Sequence, residues 1–466
     1  MALVATAISG EIGLMTSLLL KRCVPFLALF AIAYPAPAGL PEYLAEQDPS
    51  FTWTLVSKTD ASNATLYELR LTSQTWHGIA WQHNLNVFVP ATPPADVKAA
   101  AQGSALLMID GGSQSSLEKK PGPDAVLYGS MLAQKIGVLC AVIKQVPNQP
   151  LFGDLKEDAL IAETFRRYLD THDESWPLLL PMTKAAVRAM DALGEFSAKE
   201  LGGRLEKFVV TGGSKRGWTT WLTAASDPRV VALAPMVIDM LNSRPQMDHQ
   251  VKTLGTWSEE TRDYHDLLRR PETEDIRHLW AMVDPYTFRD KLTQPKLIIL
   301  GNNDPYWATD ALNIYWDGLA GPKWIHYVPN AGHNLVQTSE GKRLPPMAAL
   351  NALGVFTRHQ LTGKPMPKLA WKHDDDSGRP RLTVTAEPPP KSVSLWVAHA
   401  PTHDFRAATW QPQPLKVPGA TITGEIDPPS TGSTAFYAAL DYEFEGVTYS
   451  LCTQLRIVDA LAASGR

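Results

Sequence analysis

The chain has 466 residues, 44% of them hydrophobic and 20% charged, with a formal net charge of −5 at pH 7. Those values belong to globular, core-forming protein, and the absence of any lysine or arginine stripe removes the electrostatic footprint of a nucleic-acid partner, so neutral or weakly charged substrates are expected. Three cysteines without paired spacing, Cys23, Cys140 and Cys452, supply neither a metal site nor a disulfide framework. No cofactor is called for.

The N-terminal segment reads as targeting rather than fold. Lys21-Arg22 precede an apolar run from Val24 to Ala33, and Ala36-Pro-Ala38 presents small residues where a signal peptidase reads. Cleavage is expected after Ala38, giving a periplasmic or secreted chain whose translation starts at Met1 or Met15. The run is shorter than the ~20 apolar residues that span a bilayer, so no stable membrane insertion is expected once it is removed. Asn63-Ala-Thr65 is a glycosylation sequon, of consequence only in a eukaryotic secretory route.

Alternating segments at 51–56, 65–72 and 84–90 predict half-buried entry strands. Near-continuous apolar runs near 104–110, 137–144, 206–211, 230–238, 296–301 and 323–329 follow, separated by helical patterns clearest at 181–193 and 344–360. Runs of that kind are buried on both faces, which predicts a doubly wound, mainly parallel α/β sheet with an antiparallel entry.

Candidate chemistry gathers after these strands. Ser104-Ala-Leu-Leu-Met-Ile-Asp-Gly-Gly-Ser113 runs a strand into a Gly-Gly turn, the position of an oxyanion loop, so the amide of Gly112 or Ser113 is a candidate donor. The loop Lys144-Gln-Val-Pro-Asn-Gln149 follows the next strand, and Gln145 and Asn148 are candidate substrate contacts. Lys207-Phe-Val-Val-Thr-Gly-Gly-Ser-Lys-Arg-Gly-Trp218 reads as a nucleophile elbow, in which small neighbours allow the strained turn that lifts a serine above the sheet. The usual G-x-S-x-G would place glycine at 216, yet the chain has Arg216 and delays the glycine to Gly217. Ser214 is the candidate nucleophile, with the Lys215 amide as the other oxyanion donor.

Asp239 ends the strand that starts at Val230. The stretch from about 243 to 295 occupies the place of a cap, and its His249 and Trp257 are candidate substrate contacts; a helical excursion that merely buries its aromatics is the alternative. Pro295-Lys-Leu-Ile-Ile-Leu-Gly-Asn-Asn-Asp304 and Trp324-Ile-His-Tyr-Val-Pro-Asn-Ala-Gly-His333 each end a strand in a loop residue of triad type. A serine needs an imidazole to take its proton, and the imidazole needs a carboxylate to fix its tautomer; the order Ser214, Asp304, His333 is the chain order of α/β-hydrolases. Asp239 competes with Asp304 for the acid, and Asp304 is preferred because it follows the strand that usually supplies it. Asp239 is then expected to organise the pocket.

Beyond Pro365, short alternating segments separated by proline-rich turns predict a small immunoglobulin- or fibronectin-like sandwich at 370–460, after a catalytic domain at 39–365. His373-Asp-Asp-Asp-Ser-Gly378 reads as a solvated linker rather than a calcium loop.

Four blocks together resemble the PhoPQ-activated pathogenicity-related protein family: Thr211-Gly-Gly-Ser-Lys-Arg-Gly-Trp-Thr-Thr-Trp221, Ala234-Pro-Met-Val-Ile-Asp-Met-Leu-Asn242, Asp284-Pro-Tyr286 and Tyr327-Val-Pro-Asn-Ala-Gly-His333. The resemblance implies an exported α/β-hydrolase with a small C-terminal β-module. The pattern of Gly212, Ser214, Lys215 and Gly217 is also similar to the nucleophile motif of glucuronoyl esterases, which implies that Lys215 adds a charged donor at the oxyanion. The expected function is an exported serine hydrolase acting through an acyl-enzyme on a small-molecule ester. An exported serine peptidase acting on short peptides and a non-catalytic secreted binding or signalling protein are the alternatives.

Overall fold

The computed structural model of the chain describes residues 39–60, 63–339, 341–376 and 378–460. The expected signal segment, 1–38, lies outside the described residues. In chain order, α1 (Leu40–Ala45) leads into β1 (Thr52–Asp60), β2 (Ala64–Trp76) and β3 (Ile79–Pro90), an antiparallel meander. The third strand begins five residues earlier than the sequence pattern predicts, at Ile79 rather than Asn84, because His77 (φ 46°) and Gly78 (φ 76°) are both left-handed and close a two-residue hairpin.

There follow α2 (Ala95–Ala100), β4 (Ser104–Ile109), α3 (Pro123–Ile136), β5 (Leu139–Ile143), α4 (Glu157–Thr171), α5 (Leu179–Glu200), β6 (Lys207–Gly213), α6 (Lys215–Ser226) and β7 (Val230–Met236). The region expected to be a cap folds as α7 (Ser243–Leu254), α8 (His265–Arg269) and α9 (Glu274–Val283), linked by 3-10 turns. The chain then returns to the sheet as β8 (Lys296–Gly301) and β9 (Lys323–Val328), passes a short hairpin of β10 (Thr338–Ser339) and β11 (Lys342–Arg343), and enters α10 (Met347–Thr362). Pro345 and Pro346, which lack an N–H, set that start three residues later than the expected 344.

The sheet order is β1-β2-β3-β5-β4-β6-β7-β8-β9, and β4 pairs in parallel with both β5 and β6 before the parallel run continues to β9. This is the doubly wound α/β-hydrolase arrangement. Its strands alternate between two cores. Phe208 and Val210 pack with Phe196 of α5 and Trp221 of α6 on one face, while Val209 packs with Leu132 of α3 and Phe356 of α10 on the other. Apolar runs in these strands follow directly, since neither face meets water. The carboxyl edge of the parallel strands therefore collects the loops after β4, β6, β7, β8 and β9, where ligands bind in open α/β sheets.

The remaining strands are β12 (Lys368–Asp374), β13 (Arg381–Glu387), β14 (Ser392–Ala400), β15 (Gln411–Leu415), β16 (Thr421–Glu425), β17 (Ser433–Phe444), β18 (Val447–Cys452) and β19 (Arg456–Asp459). They form two layers, β12-β13-β16 against β15-β14-β17-β18, with Val384, Ile422, Leu395 and Leu440 between them. Residues His373 and Asp374, expected in a linker loop, lie instead in β12, whose pairing with β13 runs to Asp374↔Arg381. The second layer is continuous with the main sheet, because β18 joins β9 antiparallel at Cys452↔Ile325, and Tyr327 donates its amide to Cys452 Sγ at 3.4 Å.

Backbone crowding at the β6–α6 turn yields a direct test. A Cβ on Gly217 would lie 2.8 Å from both Met236 O and Ile238 Cγ2, whereas one on Gly213 would meet nothing closer than 3.9 Å. Gly217→Ala is expected to destabilise the protein by about 1–3 kcal/mol through overpacking, and Gly213→Ala to leave the thermal unfolding midpoint nearly unchanged.

Candidate active site

Ser214 occupies the turn between β6 and α6 with φ 56° and ψ −126°, a left-handed conformation unusual for any residue with a Cβ. Its amide donates to Met236 O at 2.8 Å, which ties the turn to the neighbouring strand. Gly212 and Gly217 are the glycines this geometry requires, for a Cβ on Gly212 would sit 2.7 Å from Arg216 O. Position 216 needs no glycine, so its side chain is free to do something else.

Arg216 is buried and reaches beneath the loop after β4. A Cβ on Gly111 would lie 2.7 Å from its Nη2, so the guanidinium packs flat against that loop. It donates to both carboxylate oxygens of Glu157, at 2.7 and 2.9 Å, and through Nε to Val146 O. Gln149 Nε2 bridges the same carboxylate, at 2.6 Å, to Gly112 O at 3.2 Å. Burial alone would raise the pKa of Glu157; the Arg216 hydrogen bonds and charge, aided by Gln149 and Lys215, outweigh it and bring it to about 2. The elbow and the Gly-Gly loop are thus clamped together by an ionised pair. Lys215 donates to Asp158 at 2.9 Å and lies 3.5 Å from Glu157, and Asp158 also accepts from Tyr264 Oη at 2.9 Å.

His333 Nδ1 meets Asp304 Oδ2 at 2.8 Å, and the other carboxylate oxygen accepts the Tyr306 amide at 3.0 Å. The Tyr306 ring stacks on the imidazole, with centroids 4.1 Å apart. His333 Nε2 is buried and without a hydrogen-bond partner. With Nδ1 donating to the carboxylate, Nε2 carries the free lone pair. Ser214, Trp218, Ile238, Met240, Trp280 and Tyr306 line a small cavity whose charged lining residues, among those described, are Asp158 and Lys215.

Three asparagines fasten the Asp304 and His333 loops to the C-terminal module. Asn303, the residue before Asp304, donates through Nδ2 to Phe405, Arg406 and Ala408 carbonyls at 3.2, 3.1 and 2.7 Å. Asn330, three residues before His333, exchanges two hydrogen bonds with the backbone of Trp410, at 3.0 and 2.8 Å. Asn302 accepts from Tyr437 Oη at 3.1 Å. The β-module is the wall on which both loops rest.

The structure separates the other sequence candidates. Gln145 and Asn148 are buried and bonded into scaffold, Gln145 to the Asn84 amide at 2.9 Å and to Ser116 Oγ at 3.1 Å, Asn148 to Ala80 O at 3.4 Å. Neither lines the Ser214 cavity. Ser113 caps the 3-10 turn 114–116, and Gly112 has φ 135°. His249 bonds Asp310 at 2.7 Å in a separate cleft against the C-terminal strands, and Trp257 lines the cleft next to the Ser214 cavity. The Lys215 ammonium is held by two carboxylates. Asp239 is buried beside Tyr315; burial chiefly, then the charges of Asp304 and Asp310, push its pKa up to about 8. Asp158, Tyr264 and Tyr306 escaped the sequence reading. Tyr306 sits two residues past Asp304 and was within reach of it, but Asp158 arrives from α4 and has no local signature.

The matched family model is that of the PhoPQ-activated pathogenicity-related protein, over residues 40–406. The chain belongs to this family. It is 31% identical over 458 residues to autocrine proliferation repressor protein A of Dictyostelium discoideum, covering 89% of this chain and 88% of that protein. Among solved structures it is similar to acetyl xylan esterase 1 from Thermoanaerobacterium sp. JW/SL YS485, at TM-score 0.47 and 17% identity over 69% of this chain and 92% of that one. A glucuronoyl esterase from Solibacter usitatus gives TM-score 0.38 and 13% identity, again over 69% and 92%. Among the described residues no helix is long and apolar enough to cross a membrane, and no group of three or more His, Cys, Asp or Glu side chains is placed to hold a metal ion.

Two outcomes follow from this geometry. Asn330→Ala removes an anchor of the His333 loop without touching the cavity, so kcat is expected to fall about 10-fold or more while the fold survives, read by steady-state kinetics beside circular dichroism. Asp239 keeps its proton to about pH 8 when folded, but loses it near pH 3.9 when unfolded. Its contribution to stability is therefore full below the unfolded pKa and is lost as pH rises through about 8. Asp239→Asn is expected to flatten that decline in denaturant titrations across the interval.

Proposed function

We propose that the protein is an exported serine hydrolase that cleaves carboxylic esters, with Ser214 as nucleophile, His333 as base and then acid, and Asp304 as the carboxylate that orients it. The observation that carries this reading is the left-handed Ser214 at the rim of an apolar cavity, which it shares with Tyr306, the ring stacked on the Asp304-bound His333. In the proposed cycle His333 Nε2 takes the Ser214 Oγ proton as Oγ attacks the ester carbonyl. The negative charge that develops on the carbonyl oxygen is met by backbone amides of Lys215 and of Gly112 or Ser113. His333 then returns the proton to the departing alcohol, and water repeats the steps on the acyl-enzyme.

The ionic pairing in the cavity favours an ester over an exopeptidase substrate. A free peptide amino terminus needs an unengaged carboxylate, and Asp158 already accepts from Lys215 and Tyr264. A free carboxyl terminus needs an unengaged cation, and Lys215 is held by Asp158 and Glu157. Pairing of this kind leaves an apolar, uncharged acyl group as the best occupant beside Ser214. Export rests on the Lys21-Arg22, apolar run and Ala36-Pro-Ala38 series in the sequence.

The relative's name as a proliferation repressor favours a second reading, a secreted signalling protein that keeps the fold without turnover. One experiment separates the two. A fluorophosphonate probe is expected to label the wild type and not Ser214→Ala, and Asp304→Asn is expected to lower kcat on 4-nitrophenyl acetate by about 10⁴-fold. An unlabelled, inactive wild type leaves the signalling reading standing.

A further inference from the structure

We infer that the cleft beside the Ser214 cavity binds an oxyanionic group, a carboxylate, sulfate or phosphate, carried by the substrate on the part that reaches past Trp280. The inference rests on the esterase reading for the word substrate, and on the cleft's own residues for its chemistry. The cleft lies among the cap helices, and Met247, Leu268 and Trp280 line both it and the Ser214 cavity. The two spaces share these walls, and we take the cleft as the place reached by a ligand longer than the cavity.

Three arginines line the cleft from three separate elements: Arg244 on α7, Arg270 just after α8, and Arg277 on α9. Among the described residues the Arg244 and Arg270 side chains make no hydrogen bond or ion pair, and Arg277 has only the Glu272 carbonyl at 3.4 Å. Three carboxylates also line the cleft. Asp284 is fully engaged, accepting the amides of Asn242, Ser243 and Tyr286 and the Ser243 hydroxyl. Asp248 and Glu272 are exposed and form no ion pair with any of the three arginines. The contrast with the neighbouring cavity is chemical: there the cation is neutralised by carboxylates, whereas here Arg244 and Arg270 form no ion pair among the described residues. A guanidinium fork matches a planar or tetrahedral oxyanion through two parallel N–H donors, which is stronger and more directional than a neutral contact. Trp257 and Trp280, also in the lining, supply flat apolar surface for the body that carries such a group.

The test is made by binding, so that it does not depend on turnover. Calorimetric titration of the full chain with 4-phenylbutanoate and with its neutral amide is expected to show the carboxylate bound about tenfold tighter at low salt, with the gap closing at high sodium chloride. The gap is expected to vanish in Arg244→Gln/Arg270→Gln, a variant checked for an unchanged near-ultraviolet circular dichroism spectrum. Arg244→Ala, at an exposed position, serves as the second variant and is expected to narrow it. Equal binding of amide and carboxylate, or a preference that persists in the folded double variant, overturns the inference. Inorganic phosphate binding as tightly as 4-phenylbutanoate also overturns it, since the cleft would then take a free ion rather than a substituent. A carboxylate preference in a protein that hydrolyses no ester upholds the anion site and defeats the esterase reading instead.

Discussion

A serine held at φ 56° between a strand and a helix is the constraint on which the rest of the site depends. Side chains with a Cβ resist that conformation, and it persists only where the surroundings determine it. Here they do so in two ways. Gly212 and Gly217 let Arg216, Met236 and Ile238 close around the turn at distances no Cβ would tolerate, and the Ser214 amide is held by β7. The delayed glycine of the elbow then has a physical account. Crowding falls at 217, and the freed position 216 carries an arginine that crosses under the Gly-Gly loop to Glu157.

That crossing couples two loops that sequence alone shows only as separate turns. The Glu157 carboxylate binds Arg216 from the elbow and Gln149, whose amide also reaches Gly112 O. An ion pair with a buried arginine and a partly exposed carboxylate contributes little net stability once desolvation is counted, but it fixes geometry, and removing Glu157 leaves the Arg216 charge buried and without its carboxylate. Placing such a pair under two backbone segments that would have to hold an oxyanion within a fraction of an ångström is consistent with a role in alignment. The same division holds on the other side of the site, where Asn303 and Asn330 hang the Asp304 and His333 loops from carbonyls and an amide of the loop between β14 and β15. Among the described residues the β-module contributes no side chain to the Ser214 cavity, yet it anchors the Asp304 and His333 loops.

Charge is distributed unevenly across the cap boundary. Next to Ser214, Lys215 and Arg216 are matched by Asp158 and Glu157, which keeps an apolar cavity free of unpaired charge. In the cleft beyond Trp280, Arg244 and Arg270 form no ion pair among the described residues. Cap helices bear few of the sheet's packing constraints, so their polar side chains are free to answer to a ligand.

Much of this was legible in the sequence, for identifiable reasons. Strands buried on both faces must be apolar throughout, so β4 to β9 announced themselves, and a turn needing left-handed backbone must recruit glycines, so Gly212, Ser214 and Gly217 stood out. Triad-type residues in loops after strands keep their chain order in any fold of this kind, which singled out Asp304 and His333. Tertiary structure decided what no local pattern encodes. It gave His333 to Asp304 and left Asp239 protonated beside Tyr315, turned Gln145 and Asn148 into scaffold, moved His249 and Trp257 out of the Ser214 cavity, and brought Asp158 from α4 to Lys215. It also joined β18 to β9, making the C-terminal strands an extension of the main sheet. The physical reason is common to all of these. Backbone conformation and burial period are written in residues a few positions apart, whereas the partner of a polar side chain is chosen by whichever donor or acceptor the folded chain carries to within about 3 Å of it.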